Sequence, residues 1–276
     1  MIKGGRETNR YGRILEHIFA KKYRKGATTV EFEREDIVRA AEALGIELPK
    51  NLGDLIYSFR YRAELPSSII KKAPPGRVWL IRPTGRSRYA FAAVVGATTT
   101  IKPNAVLAET KVPDATPGII GMYALNDEQA LLAVLRYNRL IDVFTGVTCY
   151  SLQSHLRTTV RDMGQVETDE IYVGVDRRGA HFVVPVQAKG GSDSISLVQI
   201  EQDLAMCKQK FSGALCRAVA AQFMDDNLIA LFEFEPSDDG IRIVSERHYR
   251  LTPGEELTGT EISAYNARPS NDINLG

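Results

Sequence analysis

The stretch that decides the fold is VETDEIYVGVDRRGAHFVVPVQAKGG, which covers residues 166–191. It contains two runs rich in β-branched and aromatic residues, Asp169–Val175 and His181–Gln187, and these runs predict two strands. The residues between the runs, Asp176 to Gly179, are typical of tight turns, so the strands are expected to pair as a hairpin. A pair of glycines then interrupts the pattern.

The sequence on both sides of this hairpin predicts an α/β domain. Two helices precede the hairpin, and a helix over Ser194–Gln209 and three strands follow it. We therefore expect a mixed central sheet that is flanked by helices. The remaining predicted elements are the helices 127–144 (after the capping residue Asn126) and 150–163, and the strands 214–222, 228–234 and 241–251.

Residues 1–95 predict a different architecture. Three helices, Arg10–Tyr23, Glu33–Leu44 and Leu52–Arg62, precede two strands, Arg77–Arg82 and Tyr89–Val94. This order resembles a small winged helix-turn-helix domain, a DNA-binding fold whose third helix enters the major groove while the hairpin touches the backbone. The alternative is a small helical domain with solvated basic residues. The resemblance implies phosphate contacts by Lys50, Arg60, Arg62, Arg82, Arg86 and Arg88.

The charge distribution also divides the chain. Residues 1–100 carry 19 Lys and Arg against 10 Asp and Glu, whereas the remainder carries 16 against 24. A basic first third suggests double-stranded DNA as its partner. We expect a DNA-binding domain over 1–95, a Pro- and Gly-containing linker over 96–123, a catalytic domain over 124–252 and a C-terminal tail over 253–276.

Composition argues against several classes of protein. The longest apolar runs are far shorter than the ~20 residues of a membrane span, and no signal-peptide pattern is visible. The three cysteines lack CxxC spacing, which argues against a zinc ribbon or a disulfide framework. No P-loop signature is present, so no nucleotide cofactor is expected. The expectation is a reduced, cytoplasmic protein.

Polar residues at the ends of the hairpin strands indicate chemistry. Side chains two apart on a strand share a face, so Glu167 lies with Asp169, and Gln187 lies with Lys189. Because the turn is near residues 177–179, these two pairs are expected to converge. An acid, an amide oxygen and a lysine can together hold Mg²⁺ and polarise a phosphodiester.

These residues resemble the motif of the PD-(D/E)XK nuclease superfamily, which includes type II restriction endonucleases, Mrr-like enzymes and archaeal junction resolvases. The resemblance rests on E-x-D at 167–169 and Q-A-K-G at 187–190. It implies that Asp169 binds the metal, that Gln187 occupies the acidic position and that Lys189 is the catalytic lysine. It also implies that Ala188 offers its backbone carbonyl to the metal, with Glu167 as the preceding acid. The implied fold is a restriction-endonuclease-like core.

The sequence departs from the commonest motif at two positions. Thr168 stands where proline usually precedes the aspartate, and Gln187 replaces an acid, as it does in the Mrr-like branch. Either Glu167 or Glu170 then supplies the missing charge, or the site has lost activity. The resemblance further implies supporting polar residues on the helices before and after the motif strands, namely Gln153 upstream and Gln199 downstream.

The leading hypothesis is a Mg²⁺-dependent, type II restriction-like endonuclease that cuts double-stranded DNA at a specific sequence. A homodimer is expected, because two active sites must address two strands. One alternative is a DNA-binding regulator with a degenerate nuclease-like domain, and another is a structure-directed DNA repair nuclease. The plainest alternative makes Asp169 a turn residue and leaves Gln187 and Lys189 solvated at the surface.

Overall fold

The computed structural model describes residues 10–49, 52–61, 63–85, 87–95, 100–123, 128–190, 193–224, 227–237 and 240–268. The helices are α1 Arg10–Lys22, α2 Arg34–Leu44, α3 Leu52–Tyr61, α4 Ser67–Ile70, α5 Gly118–Tyr123, α6 Glu128–Tyr137, α7 Leu140–Thr145, α8 Leu197–Lys210 and α9 Gly259–Asn266. The strands are β1 Thr29–Glu33, β2 Arg77–Gly85, β3 Arg88–Val95, β4 Thr100–Ile101, β5 Glu109–Pro113, β6 Thr148–Val160, β7 Gly164–Val175, β8 His181–Lys189, β9 Ile195–Ser196, β10 Leu215–Cys216, β11 Ala218–Phe223, β12 Leu228–Ser237 and β13 Gly240–Thr252.

The first part of the chain forms a small antiparallel sheet covered by helices. The strand order is β1-β3-β2, and its core joins α1 to the sheet through Phe19, which contacts Trp79 and Phe91 edge-on. The three predicted helices and the hairpin are present. Strand β1 and the short α4 were not predicted from the sequence; β1 has only five residues, and its buried side chains are Val30 and Phe32.

The second part is a mixed sheet with helices on both faces, as the sequence predicts. The strand order is β5-β13-β12-β11-β8-β7-β6, with β10 also paired to β8. Strands β10 and β11 run parallel to β8, and β5 runs parallel to β13; the other pairs are antiparallel. Helices α6 and α7 pack on one face against Val184 and Val186, and α8 packs on the other against Val183 and Ala220.

The predicted helix over Tyr150–Met163 is wrong, because strand β6 occupies this stretch and pairs with β7 from Thr148 to Val160. Leu152, Leu156, Val160 and Met163 have the spacing of a helix face, but Leu152 is exposed. A register shift after Ser151 and a positive φ at His155 also break the alternation that would reveal a strand. Pairing with β7 outweighs the local helical pattern.

Three further predictions differ from the structure. The helix predicted over 127–144 is two helices, α6 and α7, because Arg139 adopts a left-handed φ of 51° between them.

The stretch interpreted as a linker contributes β5 to the large sheet, and the predicted tail contains α9. A capping box formed by Thr258 and Glu261 starts α9, and an ion pair between Lys111 and Glu261 holds it against β5. The domain boundaries remain predictions.

The small sheet packs against helix α8 of the large one. Arg82 on β2 forms an ion pair with Glu201, and Leu80 contacts Val198 in a shared apolar cluster. The backbone carbonyl of Arg60 accepts a hydrogen bond of 3.2 Å from the Ser196 hydroxyl. Among the described helices, none is both long enough and apolar enough to cross a bilayer.

Strand β7 passes so close to the start of β6 that one of its residues must be glycine. A Cβ added at Gly174 would lie 2.6 Å from Val147 Cγ1 and 2.9 Å from the carbonyl oxygen of Thr148. We expect Gly174→Ala to lower the free energy of unfolding by about 1–3 kcal/mol, the usual effect of overpacking a core. Urea-induced unfolding measures this change. Gly213→Ala, which meets nothing within 4 Å, is the matched control; equal stability of the two variants would contradict the packing.

Candidate active site

The site begins where the pairing of β7 with β8 ends. The paired residues run from Val175 and His181 to Glu170 and Val186. Beyond this point the side chain of Asp169 replaces the backbone of β7 as the hydrogen-bond partner of β8. Its Oδ2 accepts a hydrogen bond of 2.8 Å from the backbone N–H of Ala188. The carboxylate of Asp169 is thereby fixed against the end of β8.

Lys189 lies between two carboxylates. Its Nζ donates a hydrogen bond of 2.6 Å to Glu128 Oε1 and lies 3.8 Å from Asp169 Oδ2. Burial disfavours the ammonium, but Asp169 and Glu128 outweigh this effect and raise the pKa of Lys189 above its usual value. Lys189 is therefore a charged hydrogen-bond donor in this arrangement and not a base.

Asp169 is the buried member of the acid pair. Burial raises the pKa of Asp169, and the nearby Lys189 ammonium and the Ala188 N–H offset only part of this effect. The side chain of Asp169 is 11% exposed, whereas the side chain of Glu128 is 36% exposed. The cluster is therefore open to solvent, and to a substrate, on the side of Glu128.

Gln187 lies beneath this cluster with its amide fully engaged. Its Nε2 donates to Asp203 Oδ2 at 2.9 Å and to the backbone carbonyl of Glu167 at 3.2 Å. Its Oε1 accepts a hydrogen bond of 3.2 Å from Gln199 Nε2. Gln187 has no solvent exposure, so it is not a surface amide. Gln199, the residue predicted to support the site from the downstream helix, lies on α8 and contacts Gln187.

Asp203 is a buried acid on α8. Its two carboxylate oxygens accept hydrogen bonds from the Thr168 hydroxyl and from Gln187 Nε2. Burial raises the pKa of Asp203 to about 7, although these two hydrogen bonds favour its charged form. No sequence pattern marks this residue as part of a site, because an acid within an amphipathic helix usually lies on the solvated face.

Several residues predicted to support the site do not reach Lys189. Glu170 is fully buried, where it binds the Arg136 guanidinium through two hydrogen bonds of 3.0 Å and accepts another from Ser151. The Glu167 side chain pairs with Arg157 at 3.0 Å. Gln153 is an exposed residue of strand β6. The missing charge at position 187 is therefore not supplied by Glu167 or Glu170.

The sequence analysis missed Glu128, which takes the place of the expected upstream residue. Glu128 stands in the first turn of α6, where an acid is favoured by the helix dipole. The acids at the start of this helix were a visible signal. The sequence analysis instead predicts the upstream helix over residues 150–163, and that stretch is β6.

The predicted DNA contacts fall into three groups. Lys50, Arg62 and Arg86 lie outside the described residues. Arg82 is bound to Glu201, and Arg60 lies where α3 meets the strand β9 residue Ser196. Arg88 is exposed at the start of β3.

The donor set fits a hard cation. Mg²⁺ usually takes one or two carboxylates and keeps several waters. Asp169 and Glu128 both lie beside one ammonium, and the buried Oε1 of Gln199 has no hydrogen-bond partner. Within the described residues, no group of three or more His, Cys, Asp or Glu side chains is placed to hold a metal. A cation here would therefore depend on the two acids together with amide or backbone oxygens and water.

The raised pKa of Asp203 predicts a pH-dependent stability. Between about pH 4 and pH 7 the folded protein keeps a proton on Asp203 that the unfolded chain releases, so stability falls as pH rises through this window. Relative to Asp203→Asn, the parent should lose up to about 4 kcal/mol across the window and nothing further above it. Urea unfolding in EDTA at several pH values measures the difference. Glu42→Gln, which removes an exposed acid, is the control; a difference that does not vary with pH would contradict the prediction.

The site therefore consists of an ammonium between two carboxylates, Asp169 and Glu128, above a buried amide that is held by Asp203. Comparison with protein-family models, with curated proteins and with solved structures found no match to this chain. The function of this cluster is thus inferred from its own geometry and chemistry.

Proposed function

We propose that this chain is a Mg²⁺-dependent endonuclease of the PD-(D/E)XK type that hydrolyses phosphodiester bonds in double-stranded DNA at a specific sequence. The observation that carries the proposal is the convergence of Asp169, Lys189 and Glu128 at the end of β8. The motif has an aspartate on one strand and (D/E)-x-K at the end of the next. Strands β7 and β8 are such neighbours, with Q-A-K at 187–189 as the variant of the second part.

The side chains have distinct roles in this proposal. Asp169 and Glu128 would hold Mg²⁺, and the ion would supply Lewis-acid activation of the phosphate and of a bound water. The protonated Lys189 stabilises the negative charge that develops on the phosphate as water attacks. The hydrogen bond from the Ala188 N–H keeps Asp169 oriented, and the partial burial of the cluster strengthens each of these interactions.

The N-terminal part is proposed to be a winged helix-turn-helix domain. Its support is the order α1, β1, α2, α3, α4, β2, β3 together with the antiparallel sheet β1-β3-β2. Tyr57 on α3 is 42% exposed, and the carbonyl of Arg60 on the same helix accepts a hydrogen bond from Ser196, so α3 contacts the chain segment that follows Lys189. DNA read by α3 would pass close to Lys189. Cleavage of both strands of a symmetric site would require a homodimer.

A second candidate function is a DNA-binding regulator with an inactive nuclease-like domain. The neutral, fully buried Gln187 favours it, since an amide is a weaker cation ligand than a carboxylate. Against it, Asp169, Lys189 and Glu128 still form a connected cluster that opens to solvent.

Incubation of the purified protein with unmethylated and methylated phage DNA, with Mg²⁺ or with EDTA, separates these functions. Discrete fragments that appear only with Mg²⁺ support the sequence-specific endonuclease. A smear of fragments indicates a non-specific or structure-directed nuclease. Uncut DNA that is nevertheless retarded in a gel supports the regulator.

Removing the ammonium or the acid beside it should abolish the chemistry. We expect Lys189→Ala to reduce cleavage to background while DNA affinity changes little, because Lys189 acts on the transition state. Glu128→Gln should slow cleavage by roughly 100-fold, since it releases Lys189 and removes one carboxylate. Single-turnover cleavage assays measure both variants. Lys208→Ala, an exposed lysine on α8, is the control, and full activity of Lys189→Ala would reject the assigned role.

The exposed Arg88 should contact DNA phosphate. We expect Arg88→Ala to weaken binding to all sequences alike and to lower the salt dependence of binding by about one counterion, as for a single phosphate contact. Fluorescence anisotropy over a range of salt concentrations, without Mg²⁺, measures this effect. Arg178→Ala, at the opposite end of the β7–β8 hairpin from Lys189, should leave the salt slope unchanged. An equal salt dependence of DNA binding in the Arg88→Ala and Arg178→Ala variants would contradict a contact between Arg88 and DNA phosphate.

A further inference from the structure

His155 on strand β6 stands opposite the aspartate of the site. The pairs on either side of it in the ladder between β6 and β7 are Ser154 with Glu170 and Leu156 with Thr168. His155 is therefore level with Asp169 on the neighbouring strand. It is exposed, and β6 is the last strand of the sheet, so the imidazole is accessible to a molecule that approaches this edge.

A contact with helix α6 directs the ring toward the open side of the charged cluster. His155 Nε2 lies 2.7 Å from Gln129 Nε2. Gln129 follows Glu128 in the first turn of α6, and Glu128 is the partly exposed acid through which the cluster opens to solvent. The imidazole thus lies beside the side from which a substrate would reach Lys189.

The same contact determines which ring nitrogen carries the proton. An amide nitrogen donates hydrogen bonds and does not accept them, so Gln129 Nε2 donates and His155 Nε2 accepts. The proton of the neutral ring is then on Nδ1. That Nδ1–H group is the donor that the ring can offer to a ligand.

The backbone of His155 has an unfavourable conformation. Its φ of 49° lies in the left-handed region, where a Cβ atom is crowded and which glycine adopts freely. Strained residues of this kind concentrate at functional sites. Glycine would suit the backbone at this position better, but it would lack the imidazole, so the strain points to a use for the ring.

A phosphodiester needs a further donor at this place. Asp169 and Glu128 both repel a phosphate, and Lys189 is already engaged with these two acids. Another cationic side chain would itself be attracted to the carboxylates. A neutral N–H donor beside the cluster can instead bind a phosphate oxygen without competing for Asp169 or Glu128.

We propose that His155 is a substrate-binding residue whose Nδ1–H group donates to a phosphate oxygen of the DNA backbone beside the bond that is cut. Gln129 is then a positioning residue, because it acts on the substrate through the orientation of the ring. This inference rests on the proposed function of the chain as a DNA endonuclease.

His155→Ala removes the donor. At pH 8, with Ca²⁺ in place of Mg²⁺, we expect its affinity for double-stranded DNA to fall by about 10-fold, the effect of losing one hydrogen bond to a charged group. Fluorescence anisotropy measures this affinity. The salt dependence of binding should equal that of the parent, because a neutral donor releases no counterion. His181→Ala, which removes an exposed histidine at the start of β8, is the control and should bind DNA as the parent does.

Two further variants separate binding from structural support. His155→Gly removes the ring and the strain together, so its urea midpoint should not fall below that of the parent, while its DNA affinity should fall as in His155→Ala. Gln129→Ala releases the ring and should weaken DNA binding less than His155→Ala does. The double variant of Gln129→Ala with His155→Ala should bind DNA no more weakly than His155→Ala alone, because both changes affect one contact.

The outcomes distinguish this inference from the function on which it rests. A parent protein that neither binds nor cuts DNA would overturn both. A parent that binds DNA without cutting it would overturn the proposed function, and the affinity of His155→Ala would still decide the phosphate contact. Equal DNA affinity of the parent and His155→Ala, or a salt dependence lower by about one counterion, would overturn the inference alone. A lower urea midpoint in both His155 variants would make this residue a structural one and would also overturn it.

Discussion

The hydrogen bond from the Ala188 N–H to the Asp169 carboxylate holds the site together, because it replaces a backbone pairing at the point where β7 and β8 part. It fixes an acid at the end of β8, next to the lysine that follows. Lys189 then bridges from Asp169 to Glu128, so the sheet and helix α6 share one charged cluster. The paired part of β7 and β8 is a rigid support for this cluster, and it keeps Asp169 and Lys189 in fixed positions beside Glu128.

The two faces of the sheet differ in how they bury polar groups. On the α6 face, Arg136 and Glu170 form a complete ion pair, with both carboxylate oxygens satisfied. On the α8 face, the buried carboxyl group of Asp203 is held by two neutral groups, Thr168 and Gln187, and the Oε1 of Gln199 has no partner. The first arrangement fastens a helix to a strand. The second is less favourable for folding, which is expected where a site is built for a ligand.

The sequence predicts the centre of the fold better than its edges. The hairpin, β8 and α8 follow from a turn signal and from long apolar runs that any fold would bury. Strand β6 could not be predicted, because its helical spacing is overridden only by pairing with β7 along the edge of the sheet. Because residues 150–163 form a strand, the helix upstream of the site is α6, and its first turn carries Glu128. Asp203 could not be predicted for another reason. Its hydrogen bond with Gln187 depends on how α8 packs against β8, and no local sequence pattern shows this packing.

Helix α8 connects the two parts of the molecule. Glu201 binds Arg82 of the small sheet, and two positions later Asp203 holds Gln187 of the site. Part of the acidic surplus of the second half of the chain therefore neutralises the basic first half directly. Arg82 is then a contact between the two parts, while Arg88 of the same hairpin stays exposed. Helix α8 therefore contacts both the small sheet and a polar residue beside the site.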